Sequence, residues 1–155
     1  MAKVPEPIAA FLRGKRLAVA GVSRQPGQAA NAVYRKLQNS GYEVFAVNPN
    51  ATEIEGAKCY AGLHSISGTI DGVVVATHPR VAIDMVRQCT EHGVHQVWFH
   101  RSFGQGSVSR EAIDECNVHG ISCIVGGCPL MYCEPVDFGH RCIKWWLALQ
   151  GRLPR

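Results

Sequence analysis

Five times in this chain a short, mainly apolar run stops abruptly at glycine or polar residues, and helical periodicity follows most of these stops. The runs are residues 17–20, 44–47, 73–76, 96–99 and 121–125. The first displays the unit in full. Leu17-Ala18-Val19-Ala20 halts at Gly21, a polar loop carries Ser23, Arg24, Pro26 and Gly27, and a helical pattern begins near Ala29. Ala30, Val33, Tyr34 and Leu37 then fall at the amphipathic helical spacing, and Gly41 suits the helix end. Val73, Val74 and Val75 in succession predict a strand covered on both faces, the pattern of a parallel sheet. The alternation predicts an α/β chain: a doubly wound, mainly parallel sheet in three α/β/α layers, with right-handed crossovers.

The remaining segments fit this frame. A short helix over residues 6–13, with Pro7 in its first turn, is expected at the sheet edge or bottom. Residues 50–70 are the least regular stretch, with Glu55-Gly56 between two strand-like pieces and one helical turn within 62–67. Further helices are expected over 80–92, 109–119 and 135–149. The expectation is one domain over residues 1–155, with an N-terminal helix within 1–13 and a C-terminal helix over 135–150.

Composition narrows the function classes. The 155 residues are 46% hydrophobic and 18% charged, enough apolar material for a real core and unlike a disordered chain. The first dozen residues contain Pro5, Glu6 and Pro7 rather than a long apolar core, and no run reaches the about 18 apolar residues of a membrane span. A cytoplasmic protein without a membrane partner is expected. The net charge of +4 is spread along the chain, which favours a small anionic ligand over nucleic acid. The seven cysteines are read mainly as reduced thiols.

In open parallel sheets, ligands bind beyond the carboxyl ends of the strands, where the strand order reverses. Those ends are polar, cationic and glycine-rich here: Gly21-Val22-Ser23-Arg24, Asn48-Pro49, Thr77-His78-Pro79, His100-Arg101-Ser102 and Gly126-Gly127-Cys128. The helix start after the first run offers free backbone N–H groups to a phosphate. A dinucleotide fold would want G-x-G-x-x-G there and an acid after the second strand. This chain has Gly21-Val22-Ser23-Arg24-Gln25-Pro26-Gly27 and Asn48-Pro49 instead, which speaks against NAD. No P-loop motif occurs.

Gly21-Val22-Ser23-Arg24 with Pro26-Gly27, Val47-Asn48-Pro49 with Ile54-Glu55-Gly56, Asp71-Gly72-Val73-Val74, and Val97-Trp98 together resemble the small stand-alone CoA-binding proteins. These are similar in turn to the CoA-binding domain of the succinyl-CoA synthetase α subunit. The resemblance covers roughly residues 13–128. It implies a Rossmann-like fold with coenzyme A, or an acyl-CoA, as ligand. It further implies that Gly21, Val22, Ser23 and Arg24 hold the pyrophosphate, that Asn48 and Pro49 lie by the adenosine, and that Thr77, His78 and Pro79 flank the ligand. His100, Arg101 and Ser102 occupy the place of a further contact loop. After the fourth strand the family often has W-L-Q-x-G, where this chain reads Trp98-Phe99-His100-Arg101-Ser102. The synthetase's second domain, which carries its phosphorylated histidine, has no counterpart here, so ligase activity is not implied.

Each residue also has a plainer role. Ser23 can cap a helix, Arg24 can be a solvated loop residue, and Asn48-Pro49 can simply end a strand. Arg24 and Arg101 are the best cations for phosphate, because a guanidinium binds its oxygens bidentately. His78 and His100 could form an acid–base pair, although no nucleophile stands in evident relation to them. Cys123, Cys128, Cys133, His140 and Cys142 fall within twenty residues. Their spacing lacks a zinc knuckle, and buried small hydrophobes explain most of them, with Cys142 on the helix's apolar face. Cys128, in a glycine turn, could be a reactive thiol able to form a mixed disulfide with CoA. Trp145 and Trp146 point to different sides of the last helix. One can enter the core and the other can anchor a homo-oligomer. A nucleotide-dependent oxidoreductase or acyl-transfer component, and a metal- or redox-sensing module, are the alternative functions.

Overall fold

The computed structural model describes residues 3–102 and 104–154; Phe103, in the glycine loop after the fourth apolar run, lies outside the described residues. In chain order the elements are α1 (Glu6–Leu12), β1 (Arg16–Ala20), α2 (Ala29–Asn39), β2 (Glu43–Val47), β3 (Glu53–Ile54), β4 (Ala57–Tyr60), β5 (Gly72–Val75), α3 (Pro79–His92), β6 (Gln96–Phe99), α4 (Arg110–Val118), β7 (Ser122–Val125) and α5 (Phe138–Leu149). The seven strands among the described residues form one sheet in the order β3-β4-β2-β1-β5-β6-β7. The β3–β4 pair is antiparallel and the other pairings are parallel. This is the Rossmann-like, doubly wound arrangement. The chain winds outward through β2 and then returns past β1 to β5, so the strand order reverses between β1 and β5.

Strand alternation divides the core into two layers. Leu17, Val19, Ala46, Val74, Trp98 and Ile124 face α1, α2 and α5. Ala18, Ala20, Val47, Val73, Val75, Val97 and Phe99 face α3 and α4. The central strands therefore have no solvent face, which is why β1 and β5 read as unbroken apolar runs. At the bottom of the sheet, Phe11 of α1 meets Trp98 edge to face at 5.5 Å. Its ring fills the space a side chain at Gly72 would need, with a Cβ there falling 2.6 Å from Phe11. The Asp71 carboxylate accepts the N–H groups of Lys15 and Arg16 at 2.8 and 2.9 Å, tying the start of β1 to that of β5.

The irregular stretch resolves into a hairpin and a turn. Glu55 and Gly56 both take positive φ, 52° and 76°, the conformation a two-residue hairpin demands. One helical turn follows at Leu63–Ser65.

The last helix departs from expectation. α5 starts at Phe138 because Asp137 caps it, accepting the His140 N–H at 3.0 Å. The helix also turns its other side inward. Leu147 is buried with Ile143 against the core, while Phe138, Trp145 and Leu149 are 81%, 66% and 66% exposed and Cys142 is exposed as well. Neither Trp145 nor Trp146 enters the core.

Candidate functional site

The site is built at the reversal of strand order. β1 ends at Gly21, whose φ of 101° and tight setting both require glycine: a Cβ there would lie 2.3 Å from the Ala76 carbonyl oxygen. The crossing of β1 past β5 therefore leaves backbone rather than side chain at the crest.

Beyond Gly21 the loop is held from beneath. Val22 is fully buried. Asn31, a buried amide in the first turn of α2, donates to the Ser23 carbonyl at 2.7 Å and accepts the Ser23 N–H at 2.9 Å. Glu55 of the hairpin accepts from Asn31 and from Arg35, and Arg35 also donates to the Pro26 carbonyl at 3.2 Å. Asn48 donates to the Val22 carbonyl at 2.8 Å and accepts the Asn50 N–H at 2.8 Å. The Ser23 hydroxyl accepts the Gln25 N–H at 3.1 Å.

Two features of this corner suit an anion. α2 begins at Gln28 without a side-chain cap and without an acid in its first turn, whereas His78, Ser109 and Asp137 cap α3, α4 and α5. Arg24, in the loop that leads into α2, is exposed. The positive end of the α2 dipole is thus left for something other than the protein's own side chains.

A cleft of about 500 Å³ opens over the ends of β1, β2 and β5. Gly21, Asn48, Pro49, Thr77 and His78 line it, opposite Val81, Asp84, Met85 and Gln88 of α3. A second hollow of about 450 Å³ adjoins it, sharing Pro49, Asn50 and Ala61 and adding Arg24, Thr52 and Cys59. The two form one groove along the strand ends. His78 Nδ1 accepts the Arg80 N–H at 3.2 Å, which puts the proton of the neutral ring on Nε2. Pro79 is the first residue of α3. The groove's thiol, Cys59, is buried and its pKa is raised by that burial.

The structure sets His100, Arg101 and Ser102 apart from this groove, at the end of β6. His100 is buried with Nε2 unpartnered, and burial lowers its pKa to about 4. Arg101 bridges to Gly127 through its backbone, and its side chain lines a hollow of about 210 Å³ with Arg152 and Leu153. Ser102 hydrogen-bonds the Cys128 thiol.

Several residues of the site escaped the sequence reading. Asn31 carries no signal in the sequence; its burial and its two hydrogen bonds to Ser23 reveal its hold on the loop. Val81, Met85 and Gln88 recur at helical spacing along α3, a signal that was available, although nothing in it told the core side from the groove side.

Cys128 is 2% exposed and its thiol is pushed up to about 12 by burial. This corrects the expectation of a reactive thiol in the glycine turn. The other tail cysteines diverge: Cys133 donates to the Ser40 hydroxyl at 3.2 Å, and Cys123 pairs with Cys116 of α4 by a hydrogen bond that lowers its pKa. Cys142 faces outward on α5. Among the described residues no three His, Cys, Asp or Glu side chains converge to hold a metal ion, and no helix is long and apolar enough to cross a membrane.

Comparison with known proteins gives consistent relatives. A family described as CoA binding domain matches residues 15–134. An uncharacterized protein, YneT, of Bacillus subtilis is 31% identical over 116 residues, covering 75% of this chain and 83% of that protein. The ADP-forming acetate–CoA ligase I of Archaeoglobus fulgidus is 26% identical over 120 residues, which are 74% of this chain but only 18% of the ligase. Among solved structures, a hypothetical protein from Pyrococcus horikoshii superposes with a TM-score of 0.73 at 27% identity, covering 83% of this chain and 94% of that one.

Proposed function

The chain belongs to the CoA-binding-domain family, and from that premise we propose that its double groove holds coenzyme A or an acyl-CoA. The observation that carries this reading is the groove over the ends of β1, β2 and β5, lined by Gly21 and Arg24 of the loop that leads into the uncapped start of α2. CoA brings a pyrophosphate and a ribose phosphate. The pyrophosphate sits against the loop at Gly21, Val22 and Ser23 and the first N–H groups of α2, where the helix dipole favours negative charge. Arg24 neutralises phosphate oxygens. Asn48 and Pro49 bound the adenosine side, and Thr77, His78 and the α3 residues Val81 and Met85 line the rest. The apolar α3 wall suits the less polar part of the ligand.

The groove is read as a binding site rather than a catalytic one. Cys59 is held protonated by its burial, and His78 spends one ring nitrogen on capping α3. The ligase relatives reach far beyond the segment they share with this chain, so their reaction is not assigned to it.

The test is thermal unfolding with CoA, NAD, NADP and ATP side by side. A ligand at one hundred times its Kd stabilises the native state by about 2.7 kcal/mol. CoA is expected to stabilise and NAD to do nothing; the reverse result rejects the proposal. Arg24→Ala is expected to weaken CoA about tenfold, the value of one charge-assisted hydrogen bond, and to flatten the salt dependence. An unchanged affinity removes Arg24 from the site.

A further inference from the structure

Four of the six large hydrophobic residues exposed among the described residues lie on α5: Phe138, Trp145, Trp146 and Leu149. Phe138, Cys142, Trp145 and Leu149 are spaced four, three and four apart, the spacing of a seam between two helices. This face points directly away from Leu147, the buried side of the same helix. Exposures are 81% for Phe138, 66% for Trp145 and 66% for Leu149, with Trp146 on the flank of the face. With aromatic side chains burying about 150–250 Å² each, the face opens on the order of 400 Å² of apolar surface. That is within the about 300–600 Å² range for the largest patch on an ordinary monomer. It supplies about half of the about 800 Å² per partner of a standard stable interface.

The face also lies outside the segment shared with the family, which ends at residue 134, and on the sheet layer opposite α3, which walls the groove.

We propose that α5 pairs with α5 of a second copy of this chain, the two helices antiparallel about a twofold axis. The charges specify this occupant. α5 is entered through exposed Glu134 and through Asp137, whose carboxylate also meets His140 Nδ1 at 2.6 Å; exposed Arg141 lies one turn in, and basic, exposed Arg152 follows the helix. Antiparallel pairing sets acidic beginnings against basic ends and opposes the helix dipoles favourably, whereas parallel pairing sets like against like. Register about the middle of the seam lays Phe138 against the partner helix's Leu149 and Cys142 against its Trp145. A twofold pair satisfies both copies with one surface and leaves nothing over for a third. Gly139 adds no bulk at the flank: a Cβ there would meet only the Asp137 carboxylate, at 3.2 Å. The groove stays open in the pair.

The experiment is sedimentation equilibrium of the full chain across the micromolar range, with maleimide labelling of Cys142 followed at the same concentrations. A dimer is expected, with Cys142 labelling slowed as the dimer fills. Trp145→Glu and Leu149→Glu are each expected to raise the dimer Kd about thirtyfold or more, the effect of a hot-spot residue. Both side chains are exposed, so circular dichroism should match the parent. A monomer throughout the range overturns the proposal. So does a dimer that persists in Trp145→Glu, or one whose Cys142 labels at the monomer rate. Should a variant lose its helical signal, Cys142 protection in the unmutated chain decides the matter alone.

Discussion

His100 is a histidine held neutral by its surroundings. It closes β6, is buried, and leaves Nε2 without a partner among the described residues. Desolvation, helped by the neighbouring His140, lowers its pKa from 6.5 to about 4. Between those values the unfolded chain binds a proton that the folded chain refuses. The stabilisation is therefore complete above pH 6.5 and is lost as pH falls toward 4. At about 1.4 kcal/mol per unit, on the order of 3 kcal/mol is at stake. Replacing His100 by Gln is expected to flatten the pH dependence of stability in that window, measured by urea unfolding at several pH values. An unaltered slope would mean that His100 is not the group responsible. The sequence placed His100 at a strand end, and that much was legible from where the apolar run stopped. That its imidazole would be buried left no mark in the sequence.

At the scale of elements, the junction of β1 and α2 depends on a neighbour distant in sequence. Asn31 holds both backbone groups of Ser23, and Glu55, from the β3–β4 hairpin, steadies Asn31 and Arg35 in turn. Asn31→Ala leaves partly buried backbone groups unpaired and is expected to destabilise the fold by about 1–3 kcal/mol. Because the loop borders the groove, the same variant is expected to weaken ligand binding. Chemical denaturation and ligand titration measure the two effects separately. If stability falls within experimental error of the parent, the loop is held by other means. α5 teaches the complementary lesson. Its periodicity correctly marked Phe138, Cys142, Trp145 and Leu149 as one side, yet the side that packs is the one holding Ile143 and Leu147. An amphipathic pattern finds a face; which apolar face meets the core depends on how the preceding segment delivers the helix. Here Asp137 delivers it, by setting the first turn.

For the molecule as a whole, the sheet ties the two ends of its central strands to different tasks. The upper ends of β1, β2 and β5 make the groove. At the lower ends, Asp71 joins β1 to β5, and its hydrogen bonds from the Arg16 and Lys15 N–H groups lower its pKa below 3.8. That contribution is complete above pH 3.8 and is lost as pH drops through the lowered value. Asp71→Asn is expected to reduce stability at neutral pH and to narrow the gap from the parent in strong acid; a constant gap on acid titration would refute this. The sequence by itself determined the order of elements, the parallel sheet and the polar, glycine-rich character of its strand ends. Those properties follow from local patterns: unbroken apolar runs for doubly covered strands, helical spacing between them, and glycine where β1 must turn against Ala76. Only the tertiary structure decided which strand ends share a groove, that Arg24 borders it while Arg101 faces the C-terminal segment, that Cys128 is sealed, and that α5 turns its aromatic side outward. These depend on the strand order, on burial and on helix orientation, which arise from contacts between residues far apart in the chain and leave no local mark on the sequence.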